Sequence, residues 1–192
     1  MTCSANDKQT LIQGRSVLTL QIVQNSAMAN NPYNEVLIEI RGAAGSAGNL
    51  KALQEYIVEI IPTQLSHYNW TGFYMLDPDD PGTLVLGPFR GAPTEHVRIP
   101  VTEGICGAAV AQGKSVVIDD VSADPRYLAC SIETKSEIVV PIRANGIIIG
   151  EIDIDSHDLA AFGDADQVFL EQCAQIVGRF VEDSELAPTT EK

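Results

Sequence analysis

The strongest constraint on the fold is a pair of apolar segments joined by an Asn-Gly step. SEIVVPI (136–142) and GIIIGEIDID (146–155) have the length and the β-branched content of strands. Asn145 and Gly146 lie between them, and this dipeptide favours the tight turn of a hairpin. The sequence therefore predicts two adjacent antiparallel strands at residues 136–155.

Further short segments have strand character and are separated by turn signals such as DPDDPG (77–82). The predicted strands are NWTGFYML (69–76), TLVLGPF (83–89), HVRIPV (96–101) and SVVIDD (115–120). Hairpins dominate and strand–helix–strand units are absent. We therefore predict an α+β fold with a central antiparallel sheet, helices packed on one face and a loop-covered pocket on the other.

Helical spacing appears before and after the strands. An amphipathic helix is predicted after an N-cap at Asn49, with Leu50, Leu53, Ile57, Ile60, Ile61 and Leu65 on its apolar face. A short helix is predicted at 103–113, ended by Gly113. The last helix is predicted at 165–182, with Val168, Phe169, Cys173, Ile176, Val177 and Phe180 on its apolar face.

The ends of the chain are less patterned. Asn30, Asn31 and Pro32 are expected to break any helix, and residues 33–42 fit a short helix or a strand. We therefore predict an N-terminal extension of unknown role (1–30), one domain (31–183) and a polar C-terminal tail (184–192).

Composition excludes several classes of function. The formal net charge is -14 and the sequence pI is about 4.4, so nucleic acids and anionic membrane surfaces are poor partners. Neither a membrane span nor a signal peptide is recognisable, and we expect a cytoplasmic protein. Its four cysteines are then expected to be free thiols. No CxxC pair occurs and the three histidines are widely spaced, so no metal site is expected.

Three acidic residues alternate along one predicted strand. Alternation places Glu151, Asp153 and Asp155 on one face of the sheet, and Glu137 begins the preceding strand. The face can simply be solvated. Alternatively, carboxylates gathered in a pocket would repel one another, so that one stays protonated near neutral pH. Such a cluster can bind a cationic amino group or donate a proton.

Two cysteines are candidates for thiol chemistry. Cys130 lies in the long irregular stretch VSADPRYLACSIETK (121–135), where it is either incidental or presented to a ligand. Cys106 lies near the start of the short helix, where backbone amides lower the pKa of a thiol. It is equally well interpreted as a small core residue. Cys173 lies on the apolar face of the last helix and is predicted to be core.

An aromatic pair lies on the first predicted strand. Trp70, Gly72 and Tyr74 point to the same side, where the rings form either a wall of a ligand site or part of the core. His96 precedes a strand and is expected at the surface.

Taken in order, seven segments resemble the free methionine-(R)-sulfoxide reductases, which are single GAF domains. The segments are NWTGFY, LVLGPF, VRIP, GICGAAV, IDDV, ACSIETKSEIVVPI and IIGEIDIDS, within about residues 69–156. The resemblance implies reduction of free methionine (R)-sulfoxide, with Cys130 as the nucleophile that becomes a sulfenic acid. It also implies that Glu137, Asp153 and Asp155 hold the substrate and assist protonation, and that Trp70 and Tyr74 line the pocket.

The resemblance also implies how the enzyme is regenerated. Cys106 matches a family cysteine that can resolve the sulfenic acid to a disulfide, which thioredoxin then reduces. We expect no bound cofactor, and we expect the protein to form a homodimer. Many family members carry a further cysteine where this chain has His96, so the usual partner of Cys130 is absent. The alternative function is a GAF domain that senses a small molecule without catalysis.

Overall fold

The computed structural model describes residues 31–128 and 131–186. Helix α1 (Pro32–Ala44) comes first, and from Val36 onward the described residues belong to the second of the two units into which the chain divides. The other helices and strands belong to the second unit. The predicted N-terminal extension, residues 1–30, lies outside the described residues.

The second unit is built on a six-stranded sheet. Its strands are β1 (Trp70–Leu76), β2 (Thr83–Arg90), β3 (Arg98–Pro100), β4 (Val116–Ile118), β5 (Ser136–Ala144) and β6 (Ile147–Ser156). Their spatial order is β3-β2-β1-β6-β5-β4, and every neighbouring pair is antiparallel. The predicted α+β architecture is confirmed.

Two long helices cover one face of the sheet. Helix α2 (Leu50–Gln64) contacts β1 and β2, and helix α4 (Asp164–Leu186) contacts β5 and β6. Strand residues such as Phe73, Ile138 and Ile152 are fully buried on this face. The short helix α3 (Gly104–Gln112) contacts β5 and β6 as well, but its Cys106 packs among side chains of the opposite face. The helices are therefore not all on one side, because α3 helps to cover the pocket face.

Several local predictions are confirmed. Asn49 caps α2, since its side-chain oxygen accepts a hydrogen bond from the Ala52 backbone N–H at 2.9 Å. Gly113 ends α3 in the left-handed conformation, with a φ of 62°. Asn145 and Gly146 form the hairpin turn with φ angles of 51° and 78°, which a two-residue turn of this type requires.

Pro32 is the first residue of α1, where its missing N–H costs nothing. Any helix that Asn30, Asn31 and Pro32 would break precedes them and lies outside the described residues. Two predictions for the last helix are wrong. Val168 is 55% exposed, so it lies outside the apolar face of α4. That helix ends at Leu186, beyond the predicted end at residue 182 and within the predicted polar tail. None of the helices in the described part of the chain combines the length and apolar character of a membrane span.

Candidate active site

Strand register gathers four acidic side chains on one face of the sheet. Asp153 lies opposite Gly72 of β1, and Glu151 lies opposite Tyr74. Asp155 lies between Trp70 of β1 and Glu137 of β5. Since side chains alternate along strands, all of these residues point to the pocket face. We call Glu137, Glu151, Asp153 and Asp155 the acidic row.

The acidic row is buried. Glu151 is 0% exposed and Glu137, the most exposed member, is 5% exposed. The possibility of a solvated sheet face is therefore excluded. Among residues 31–128 and 131–186, no lysine, arginine or histidine lies within salt-bridge distance of these carboxylates. Buried charges normally carry a partner, so the lack of an internal cation is unusual.

Burial raises the pKa of every carboxyl in the acidic row, and repulsion raises it further for Glu137, Asp153 and Asp155. Desolvation raises the pKa of Glu151 to about 8. Desolvation, reinforced by repulsion from Glu151, raises the pKa of Asp153 to about 8. The pKa values of Glu137 and Asp155 also lie well above their ordinary range, first through desolvation and then through repulsion from Asp153. The expectation of a carboxyl protonated near neutrality is confirmed in direction.

Helix α3 brings Cys106 to the acidic row. The Cys106 thiol donates a hydrogen bond to Asp153 Oδ2, with a sulfur–oxygen distance of 3.6 Å. The residue is 5% exposed and belongs to a core cluster with Trp70, Tyr74 and Ala109. Cys106 is thus a core residue that also contacts the acidic side chains, so the two interpretations were not exclusive.

The environment of Cys106 corrects the expectation of a lowered thiol pKa. Desolvation raises the pKa well above the ordinary value of 9.0, and repulsion from Asp153, Glu151 and Glu137 raises it further. The partial charge at a helix start amounts to about half an elementary charge. The burial of a thiolate among carboxyl groups outweighs that small favourable effect. Cys173 is fully buried in α4, as predicted, and its pKa is also raised.

The aromatic pair forms one wall of the site. The rings of Trp70 and Tyr74 stack with centroids 6.3 Å apart, and the ring of Phe89 also stacks with Trp70, at 5.6 Å. Trp70 Nε1 donates to the carbonyl of Ala92 at 3.0 Å, which fixes the indole. A side chain at Gly72 would collide with the indole, so glycine allows the ring to lie across the strand.

Tyr74 connects this wall to the loop before β3. Its hydroxyl donates to the backbone carbonyl of His96 at 2.8 Å. The expectation that His96 lies at the surface near nothing identifiable is therefore wrong in part, since the residue is half-buried and its backbone touches the pocket wall.

Cys130 lies outside the described residues, which omit 129–130. The flanking residues on both sides are described. Tyr127 and Leu128 pack against the core cluster that contains Cys106, and the Tyr127 hydroxyl donates to the carbonyl of Ser131 at 3.3 Å. Thr134 is buried, and its hydrogen bond to Asp155 moderates the raised pKa of that carboxyl.

Glu151 is the residue that sequence reasoning missed as a site residue. Alternation placed it on the correct face, but no role was assigned to it. Neither of its carboxyl oxygens has a geometrically defined hydrogen bond, and the same holds for Asp153 Oδ1. Nevertheless, the Cys106 thiol lies close enough to lower the pKa of Glu151 slightly against the effect of burial. Unpaired buried oxygens are costly and commonly mark a ligand site.

Comparison with known proteins agrees with this geometry. Residues 49–180 match the sequence profile of the GAF domain family. Protein YtsP of Bacillus subtilis (strain 168) is 48% identical over 111 residues, which are 58% of this chain and 67% of that protein. The free methionine-R-sulfoxide reductase of Escherichia coli (strain K12) is 45% identical over 109 residues, which are 57% of this chain and 64% of that protein.

A solved structure extends the similarity over most of the chain. The X-ray structure of free methionine-R-sulfoxide reductase from Neisseria meningitidis, in complex with its substrate, has a TM-score of 0.77 and 36% identity. The match covers 81% of this chain and 92% of that one. The chain belongs to the GAF domain family, and its relatives there include proteins named free methionine-R-sulfoxide reductase.

Proposed function

We propose that this protein reduces free L-methionine (R)-S-oxide to methionine, with Cys130 as the nucleophile. The observation that carries the proposal is the acidic row, which is buried and has no cation within salt-bridge distance among the described residues, although Arg126 acts on Glu137 from farther away. Relatives with 41% and 45% identity, from yeast and Escherichia coli, bear the name of this reductase. Thioredoxin is the proposed external reductant.

The acidic row is suited to a ligand that carries a positive charge. The ammonium group of a free amino acid would pair with ionised members of the row and relieve their mutual repulsion. Asp153 and Asp155 are the proposed ammonium ligands. The methyl and sulfur end would pack against Trp70 and Tyr74, whose stacked rings offer an apolar surface.

The remaining protonated carboxyls are suited to the chemistry. In the proposed reaction the Cys130 thiolate attacks the sulfoxide sulfur, and a carboxylic acid such as Glu137 protonates the sulfoxide oxygen. The oxygen is transferred to Cys130, which becomes a sulfenic acid as methionine leaves. The substrate sulfur gains two electrons and the cysteine sulfur loses two. Burial raises the pKa of Glu137 well above its ordinary range, which favours the protonated form that can serve as the acid.

Regeneration requires a second thiol. A thiol attacks the sulfenic acid, water leaves and a disulfide forms, which thioredoxin reduces. Cys106 is the candidate resolving cysteine, and the Cys106–Cys130 disulfide is the proposed intermediate. Because the pKa of Cys106 is raised, resolution through Cys106 would be slow at neutral pH. Direct attack by an external thiol on Cys130 is then the competing route.

Thioredoxin-coupled consumption of NADPH with free methionine sulfoxide tests the proposal. We expect turnover with the R epimer and a loss of at least about 10³-fold in Cys130→Ser, because no other group replaces the nucleophilic sulfur. Cys3→Ser is the matched control and should keep wild-type activity. Wild-type single turnover by Cys130→Ser would contradict the role of Cys130. Binding of the free amino acid without turnover would favour the sensor function.

A further inference from the structure

Three side chains of the site are spaced like ligands of one metal ion. Cys106, Glu137 and Asp153 are all buried, and each offers a ligand atom within 4.8 Å of the other two. Cys106 Sγ lies 3.6 Å from Asp153 Oδ2. Zinc bonds of about 2.3 Å to sulfur and about 2.1 Å to oxygen, at a tetrahedral angle, separate those two atoms by about 3.6 Å. This pair can therefore bind zinc with little movement. More widely spaced ligand atoms of the group would have to move closer together.

A second observation points to a cation at the same place. Glu151 is fully buried with both oxygens unpaired, and Asp153 Oδ1 is also unpaired. Glu151 interacts electrostatically with all three members of the group. It is therefore near enough to balance the charge of a bound ion. Two carboxylates and a thiolate form a donor set that suits Zn²⁺ better than Mg²⁺ or Ca²⁺, which avoid sulfur.

We propose that Cys106, Glu137 and Asp153, assisted by Glu151, form a Zn²⁺ site that overlaps the substrate pocket. The bound ion inhibits the reductase by occupying the carboxylates that would hold the substrate ammonium group. The inhibition rests on the proposed function, whereas binding of the ion does not. The expectation of no metal site considered only CxxC and histidine motifs, and a mixed thiol and carboxylate site has no such signature in the sequence.

Binding of the ion is coupled to proton release. The Cys106 thiol and the carboxyls that are protonated before binding lose their protons as the metal–ligand bonds form. No oxidant or reductant takes part. Zn²⁺ affinity should therefore increase as the pH rises.

Binding is measured on the reduced full-length protein by competition with a chromogenic zinc chelator. We expect one Zn²⁺ per chain, and Co²⁺ in its place should give a thiolate-to-cobalt charge-transfer band. Cys106→Ser should lose that band. Both Cys106→Ser and Asp153→Asn should weaken Zn²⁺ binding by more than roughly tenfold, since even residues outside the ligand shell contribute 10- to 100-fold. Circular dichroism checks that each variant is folded.

The control is Cys130→Ser, in which the Co²⁺ band and the zinc affinity should be retained. A band that disappears in Cys130→Ser, or zinc affinity unchanged in Cys106→Ser, would overturn the site. If Cys106→Ser does not fold, Asp153→Asn decides the question by affinity alone. In the wild type, Zn²⁺ should raise the apparent KM for free methionine sulfoxide. If the proposed reductase activity is absent, the stoichiometry and the Co²⁺ spectrum still test the metal site.

Discussion

Replacement of Glu151 by glutamine should stabilise the protein at alkaline pH. The pKa of Glu151 is about 8 in the fold against an ordinary 4.5, so between these values the folded state binds more protons than the unfolded state. Stability therefore falls as the pH rises through this window. A shift of this size costs about 3 kcal/mol at pH 7 and up to about 5 kcal/mol well above pH 8. Glutamine removes the cost of ionisation.

Two effects modify this magnitude. The glutamine amide puts N–H donors in the place of a carboxyl oxygen, and burying them without partners costs about 1–3 kcal/mol at every pH. Loss of the Glu151 charge also reduces the repulsion that raises the pKa of Asp153. The first effect shifts the whole stability curve, whereas the second flattens it further. The change in slope with pH is therefore the diagnostic quantity.

Urea unfolding between pH 5 and pH 9 measures that slope. We expect the stability of the wild type to decrease across this range and that of Glu151→Gln to decrease less, by about 4 kcal/mol over the interval. Glu95→Gln makes the same chemical change at an exposed loop residue, and its curve should run parallel to the wild type. Parallel curves for wild type and Glu151→Gln would show that the fold does not raise the pKa of Glu151, which would refute the reasoning.

Two further predictions concern the substrate and the second cysteine. N-acetylmethionine sulfoxide should show a kcat/KM at least about 10²-fold below that of the free amino acid, because acetylation removes the charge that pairs with the buried Asp153 and Asp155. Comparable values would show that the acidic row is not an ammonium site. The Cys106–Cys130 disulfide should form faster as the pH rises, since the pKa of the Cys106 thiol is raised. Non-reducing peptide mapping after one turnover measures its formation. A stable Cys130 sulfenic acid with Cys106 still free, even at alkaline pH, would rule out this resolving pair.

Much of the sheet could be predicted because its signals are local. The register of β5 and β6 shifts between Ile142 and Arg143, so the Asn145–Gly146 turn predicts that these strands pair but not that Glu137 lies opposite Asp155. Alternation along β6 fixes which of its own side chains share a face. Glu151, Asp153 and Asp155 were assigned to one face by this rule alone. The helix ends at Asn49 and Gly113 follow equally local capping rules.

Burial was harder to predict because it depends on what packs above each face. Alternation cannot distinguish a solvated acidic face from a covered one, and only the position of α3 decides this for Asp153. The prediction that Val168 is part of the apolar face was wrong for the same reason. Helical spacing gives the width of an apolar stripe, but it does not show how much of that stripe other elements cover. The pKa of the Cys106 thiol depends on carboxylates 31 to 47 residues away in the chain, and no local sequence rule includes residues so distant.

The two chemical requirements of sulfoxide reduction conflict within this pocket. A proton donor is favoured by burial and by neighbouring negative charge, since both keep a carboxyl protonated. A thiolate is disfavoured by the same two conditions, and the Cys106 thiol has both. Cys106 is therefore poorly suited to act as the nucleophile, although it lies against the acidic row. The proposed reaction therefore needs a nucleophile other than Cys106, which supports the proposal of Cys130, and a resolving step that depends on pH or on an external thiol.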